Sequence, residues 1–226
     1  MKRSISIIIL AYNTVKTIEK VVTDYYKIAR EIPGSEVIVA EDGSSDGTRE
    51  VLIRLSKKIP VRLILGQKRK GYGKAMKDAF ERSKNDFIFF TDSDGEFYAE
   101  DFWKLPYCED YDIVIGYRTR RKPAIRFLLS QVNNVFIGVL FGVWLRDSNC
   151  PFRIIKRGVM RRFIDRISTA MHPNFELMIL AKKYGYRIKE VPVRHILRDS
   201  EFFSIHKIPK IVIKTIRYLI RLRRIL

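Results

Sequence analysis

Cysteine is nearly absent, with only Cys108 and Cys150 in 226 residues. Two thiols so far apart build no disulfide framework and lack metal-ligand spacing, so a reducing compartment is the simpler expectation. Histidine is scarce too, and His195 and His206 show no ligand spacing. No internal repeat or low-complexity linker divides the chain, and its length suits one catalytic domain with a short appendage. A long hydrophobic run is also missing. The nearest approach, residues 127–145, carries no formal charge, but Ser130-Gln131 and Asn133-Asn134 interrupt it and its fully apolar part begins only at Val135. A buried or membrane-interfacial helix is expected there rather than a span. The basic start Met1-Lys2-Arg3-Ser4 precedes an apolar run too short for a secretory signal and without a small-residue cleavage site, which reads as a first strand. Acids are under-represented, 25 Asp+Glu against 44 Lys+Arg, for a formal charge of +19. A charge that far from zero implies an anionic partner: nucleic acid, an anionic membrane or phosphorylated substrates.

What is present is a regular alternation. Apolar, β-branched-rich runs occur at Ser4–Leu10, Glu36–Ala40, Val61–Leu65, Phe87–Thr91 and Asp112–Gly116. Such runs suit strands covered on both faces. Helical patterns fall between them at Thr14–Ile32, Asp46–Lys58 and Gly73–Lys84, the first two closed by Pro33-Gly34 and Pro60. The alternation predicts an α/β, three-layer, Rossmann-like domain with a mostly parallel sheet. Further helices are expected near Lys156–Arg166 and Asn174–Tyr184. An edge strand is expected at Arg187–Val193, where Pro192 argues against a central position. From Lys207 the cations Lys210, Lys214, Arg217, Arg221 and Arg224 recur at steps of three or four, one stripe of an amphipathic helix. Such a helix, residues 205–226, either lies in a headgroup plane, gaining roughly 1 kcal/mol per basic residue near an anionic leaflet, or docks on the catalytic domain of residues 1–204 with its basic face solvated.

Three segments carry candidate chemistry. After the fourth strand, Asp92, Ser93, Asp94 and Glu96 arrive within five positions. Hard oxygen ligands at the carboxyl edge of a parallel sheet suit Mg²⁺ or Mn²⁺, which can bridge a diphosphate and neutralise a leaving nucleoside diphosphate. An isolated Ser-Asp-Gly is equally an ordinary acidic turn. After the second strand comes Glu41-Asp42-Gly43-Ser44-Ser45-Asp46-Gly47-Thr48, whose strand-end acids can accept hydrogen bonds from a base or ribose, with Asp46 as a helix cap. Lys68-Arg69-Lys70-Gly71-Tyr72-Gly73-Lys74 sets cations and glycines at a helix start, where phosphate oxygens can approach.

Together these segments resemble the family 2 glycosyltransferases of the GT-A fold, especially polyprenyl-phosphate enzymes such as dolichyl-phosphate mannose or glucose synthases. The resemblance spans roughly residues 4–204 and rests on Ile7 to Asn13, Glu41 to Thr48, Gly71 to Ala75, Asp92-Ser93-Asp94 and Asp147 to Arg153. It implies a nucleotide-sugar site with Tyr12 stacked near the base, Glu41 and Asp42 on base or ribose, and Lys70, Asp92 and Ser93 at the nucleotide. The divalent metal (Mg or Mn) would fall to Asp92, Asp94 and Glu96. It further implies an acceptor-phosphate clamp of Arg118, Arg126, Ser130 and Arg198, since arginines hold a phosphate better than point-charge lysines. Glu176 falls where the family often carries an acid near the acceptor, though a helix start at Pro173 explains it equally. Ala11 replaces the family's usual Pro, Thr14 an acid, and Cys150-Pro151-Phe152 a frequent Ser-Gly-Phe.

The resemblance implies inverting, metal-dependent sugar transfer from a nucleotide-sugar to a polyprenyl phosphate by a protein peripheral to the cytoplasmic face of an anionic membrane. An ionised phosphate needs positioning rather than a strong base, and Asp147 would then orient substrates. With a sugar hydroxyl as acceptor, Asp147 becomes the base. A non-enzymatic basic module is the remaining class, but no helix-turn-helix, zinc-finger or RNA-binding sheet signature supports nucleic acid as its partner.

Overall fold

The computed structural model describes residues 3–106, 110–119, 124–196 and 208–226. Its centre is β1 (Ile5–Ala11), every residue of which is buried. β1 pairs in parallel with β2 (Glu36–Glu41) on one side and β4 (Phe87–Asp92) on the other. β3 (Arg62–Leu65) closes one edge in parallel with β2. Beyond β4 come β6 (Arg153–Lys156), β5 (Ile113–Arg118) and the edge strand β7 (Ile188–Val193), giving the order β3-β2-β1-β4-β6-β5-β7. Pro192 thus sits on an edge strand as expected.

β6 is the departure. It runs antiparallel between β4 and β5, where the sequence pattern predicts only a helix near Lys156. Four residues, one of them an arginine, make too short and too polar a signal for a central strand.

Helices cover both faces. α1 (Ile18–Arg30) buries Ile18, Val21, Val22, Tyr25, Ile28 and Ala29, positions three and four apart that form one apolar stripe. α2 (Thr48–Ser56), α3 (Tyr72–Arg82), α5 (Arg157–Ser168) and α6 (Pro173–Lys183) complete the layers, with a short 3-10 helix at Ala99–Lys104. Phe89 marks one face, packing edge-on to Phe102 and Phe152 and beside Tyr25 of α1.

The uncharged stretch forms α4 (Ala124–Phe141), and the C-terminal stripe forms α7 (Ile208–Ile225). Ile137, Val143, Phe175, Ile179, Leu219 and Leu222 make a second, smaller core, so α7 docks on α4 and α6. Lys214, Arg217, Arg221 and Arg224 point outward. Glu176, a possible acceptor residue by sequence, is buried and tied into this junction: Arg166 Nε donates to its Oε1 at 2.9 Å and the Tyr218 hydroxyl donates to Oε2. It therefore clamps α5, α6 and α7 together.

α3 lies so close to α5 that a Cβ on Gly73 would stand 2.7 Å from the Ser168 carbonyl oxygen and 2.8 Å from that of Ile167. Gly73→Ala is expected to destabilise by about 1–3 kcal/mol through overpacking. Gly158→Ala in α5, with open space around its Cβ, should instead be neutral or stabilise by about 0.4–1 kcal/mol. Urea denaturation of both variants checks the contrast.

Candidate active site

The parallel register places Leu10 beside Asp92 and Ala11 beside Glu41, so the carboxyl ends of β1, β2 and β4 finish at one level. This is where open α/β sheets bind ligands. A cleft of 210 Å³ opens there, lined among others by Tyr12, Thr14, Asp42, Arg69, Tyr72, Asp92, Ser93 and Asp94.

The Asp42 carboxylate accepts the backbone N–H groups of Lys70 and Gly71 at 2.7 and 2.8 Å, drawing the 66–71 loop over the end of β2. Gly43 permits the approach: its φ is +70°, and a Cβ there would stand 2.5 Å from the Lys68 carbonyl carbon. Glu41 points away from the cleft. Its side chain is fully buried, accepts the Ser44 N–H, and is gripped by Arg49 through Nε at 3.2 Å and Nη2 at 3.0 Å. Neighbouring residues of an extended strand face opposite sides, so Glu41 and Asp42 do not both line the cleft. Glu41 shapes the loop instead.

Lys70 likewise contributes its backbone, while its ammonium pairs with Asp78. The cation in the cleft is Arg69, whose guanidinium lies 4.1 Å from the centre of the Tyr12 ring. The Lys68–Lys74 run signalled cations here, but nothing in it distinguishes Arg69 from Lys70. Ser93 is buried and ties the acidic turn to the β1–α1 loop: its hydroxyl is 2.9 Å from that of Thr14, and its carbonyl accepts the Thr17 hydroxyl at 2.7 Å.

Asp92 and Asp94 are raised above the usual carboxylate range, first by burial and then by neighbouring acids, Asp94 acting on Asp92 and Glu96 on Asp94. Oδ1 of Asp92 is buried without a hydrogen-bond partner. Hard donors short of positive charge fit a divalent cation. Among the described residues, however, no three His, Cys, Asp or Glu side chains are arranged to hold a metal alone. The expected Asp92–Asp94–Glu96 set is thus not assembled as a closed site, because Glu96 Oε2 lies 2.8 Å from Nε2 of His195. Mg²⁺ ordinarily takes one or two carboxylates plus substrate phosphates, so an open site suits it.

His195 escaped sequence reasoning because it lies 99 residues from Glu96. The end of β7 delivers it, with Ile196 N–H donating to the Glu96 carbonyl at 2.7 Å.

Arg118, at the end of β5, donates to Asp147 twice, Nε to Oδ2 at 2.7 Å and Nη2 to Oδ1 at 3.0 Å. Burial opposes the Arg118 charge, but the hydrogen bonds and charge of Asp147 outweigh it and hold the guanidinium protonated. Asn134 of α4 secures the same loop, its amide donating to the Arg146 carbonyl at 2.6 Å and its Oδ1 accepting the Ser148 hydroxyl at 2.8 Å. Ser130 is half-buried on α4; the Arg126 side chain and Arg198 lie outside the described residues.

A carboxyl raised in the folded state favours folding below its unfolded pKa of about 3.9 and loses that contribution as pH rises toward its folded value. In chelator, the melting midpoint of the unaltered chain is therefore expected to fall relative to that of Asp92→Asn as pH rises from about 4 toward neutrality. Melting curves of both across that range check it; a difference that does not change with pH contradicts it.

The model of the family described as Glycosyl transferase family 2 matches residues 6–167. A dolichyl-phosphate beta-glucosyltransferase of Trichomonas vaginalis is 27% identical over 210 residues, covering 84% of this chain and 64% of that protein. Glycosyltransferase AglD of Haloferax volcanii is 27% identical over 202 residues, covering 84% of this chain and 32% of that one. The chain thus spans less than two thirds of either relative. Among solved structures, glucosyl-3-phosphoglycerate synthase of Mycobacterium tuberculosis with Mn²⁺, uridine diphosphate and glucosyl-3-phosphoglycerate superposes with a TM-score of 0.72 at 17% identity, over 97% of this chain and 79% of that one. That likeness establishes the GT-A fold. With the family model covering most of the sheet and the whole cleft, the chain belongs to glycosyltransferase family 2.

Proposed function

We propose that the chain transfers a sugar, with inversion, from a nucleotide-sugar to a polyprenyl phosphate of the dolichyl type, acting peripherally at the cytoplasmic face of an anionic membrane. The Arg118–Asp147 pair carries this reading. A buried carboxylate held by two hydrogen bonds from a guanidinium is a poor proton acceptor, which disfavours a hydroxyl acceptor needing a base. An ionised phosphate is already a nucleophile and needs only positioning and charge relief. Asp147 then acts by fixing Arg118, with Arg126, Ser130 and Arg198 as the resemblance's further partners for the acceptor phosphate. The relatives named as dolichyl-phosphate glucosyltransferases support the same acceptor.

At the donor end, Tyr12 and Arg69 offer a stacked surface for a base, while Asp42 and Ser93 bound the nucleotide space. Asp92 and Asp94 would hold Mg²⁺ or Mn²⁺ together with the donor diphosphate, and Glu96 orients His195 beside them. The metal, when bound, neutralises charge on the leaving nucleoside diphosphate.

A lipid acceptor requires a surface that meets a bilayer. α4 exposes Val132 (41%), Val135 (54%), Phe136 (38%) and Val139 (70%), spaced three and four apart, and Trp144 (67%) follows. Beside it, α7 presents Ile213 and Ile220 among Lys214, Arg217, Arg221 and Arg224. An apolar strip flanked by cations matches an interfacial helix pair. Among the described residues no helix is long and apolar enough to cross a membrane. The positive charge is assigned to this surface and the phosphates, with no nucleic acid partner.

Labelled nucleotide-sugars offered with phosphorylated and dephosphorylated polyprenol in liposomes should label only the phosphorylated lipid, and only with Mg²⁺ or Mn²⁺. Labelling of a free-hydroxyl glycan in preference to the lipid phosphate would refute the acceptor. Val135→Asp combined with Val139→Asp is expected to abolish flotation with anionic liposomes without lowering the melting midpoint. Undiminished flotation would refute the surface.

A further inference from the structure

Among the described residues Arg153 is the largest of the fully buried side chains, at 0% exposure, and it lies on a central strand. Its register partners are Phe90 on β4 and Ile115 on β5. Asp92 stands two residues beyond Phe90 on the same strand, so it projects from the same face as Arg153 and is its diagonal neighbour across the pair. Phe89 and Phe152, one position removed from these residues, pack on the opposite face with Tyr25 and Phe102. Arg153 therefore points into the layer of α3, α5 and α6, beneath the donor cleft.

There its Nη2 donates to Oδ1 of Asn174, in the first turn of α6. Its Nε and Nη1 are buried with no hydrogen-bond partner, and so are the Tyr72 hydroxyl and Oδ1 of Asp92. These groups lie in one neighbourhood, where burial raises both the Tyr72 hydroxyl and the Asp92 carboxyl and the Arg153 charge opposes each shift. A buried guanidinium stays charged and is costly unless an opposite charge answers it. Glu41, Asp147 and Glu176 already have arginines of their own, at Arg49, Arg118 and Arg166. Asp42 and Asp101 are likewise held, by the Lys70 and Gly71 N–H groups and by Arg194, which leaves Asp92, the diagonal neighbour, as the carboxylate facing Arg153.

We infer that Arg153 is a positioning residue of the donor subsite: from inside the sheet it answers the charge of Asp92, and with Tyr72 and Asn174 it fixes the direction in which that carboxylate faces the nucleotide-sugar cleft. The inference rests on Asp92 belonging to the donor site. Arg153 is fully buried and does not line the cleft, so its effect passes through Asp92.

Two measurements on the full chain test it. In metal-free buffer, melting midpoints are compared for the unaltered chain, Arg153→Met, Asp92→Asn and the double variant. Arg153→Met leaves Asp92 buried without its counter-charge, so its loss of midpoint should be smaller by at least about 3 °C when Asp92 is already Asn. An equal loss in both backgrounds would mean that Arg153 only fills space, and overturns the inference. Calorimetric titration of Mn²⁺ in the presence of uridine or guanosine diphosphate supplies the second readout. Loss of a group that orients a ligand costs about 10–100-fold in metal affinity, expected for Arg153→Met and largely restored by Arg153→Lys. Unaltered affinity in Arg153→Met overturns the inference while the donor site stands. Absence of Mn²⁺ binding by the unaltered chain with either nucleotide overturns the donor site itself, and the melting comparison then decides the Arg153–Asp92 pairing alone.

Discussion

Everything at the active site depends on parallel pairing of β1 with β2 and β4 in a register that ends the three strands together. Leu10 meets Asp92 and Ala11 meets Glu41; a slip of one residue would turn each of these acids to the opposite face. The backbone ladder continues into the loops, since Asp42 N–H donates to the Ala11 carbonyl, Ser93 N–H to that of Leu10 and Gly66 N–H to that of Glu41. The three loops that surround the cleft are thus extensions of the sheet's own hydrogen bonding. A site built this way needs no ligand to assemble it.

How much of this could be read beforehand depended on distance along the chain. β1, β2 and β4 were legible as apolar runs, and the acids at their ends were legible because strand and turn are contiguous. The edge position of β7 followed from one residue, Pro192. β6 escaped because a four-residue strand with a buried arginine carries no periodicity. The Glu96–His195 and Arg118–Asp147 contacts escaped because they join residues 99 and 29 positions apart. Which of Glu41 and Asp42, or of Arg69 and Lys70, enters the cleft was also hidden. Alternation decides the first once the register is known, and the path of the 66–71 loop decides the second.

The excess of cations is distributed by role. Outside, Lys214, Arg217, Arg221 and Arg224 lie on the free side of a helix whose other side is committed to packing by Leu219 and Leu222. The two C-terminal readings, docked helix and basic surface, are therefore compatible, since one helix has two faces. Inside, arginine serves as the partner of buried acids: Arg49 holds Glu41, Arg118 holds Asp147 and Arg166 holds Glu176. Its planar fork presents several N–H donors at once, as lysine does not: Arg118 satisfies both oxygens of Asp147, and Arg49 donates twice to one oxygen of Glu41. Each of these pairs braces a loop or a helix junction.

That pattern sets apart the acids that no arginine grips by a hydrogen bond. Asp92 and Asp94 are raised by burial and by their neighbouring acids, and Asp92 keeps a buried oxygen without a partner. Glu41, Asp147 and Glu176 each hold an arginine directly, whereas Arg153 faces Asp92 only diagonally across the sheet, so the deficit at the cleft is a property of the site rather than of a chain short of cations. Structural acids are satisfied when the protein is empty, whereas acids that serve a ligand stay undersatisfied until it arrives, at a cost in stability. By this criterion the turn after β4 carries the acids of the proposed donor site. The Arg118–Asp147 pair stands at its margin: joined by two side-chain hydrogen bonds and neutral as a pair, it adds no net charge beside these carboxylates.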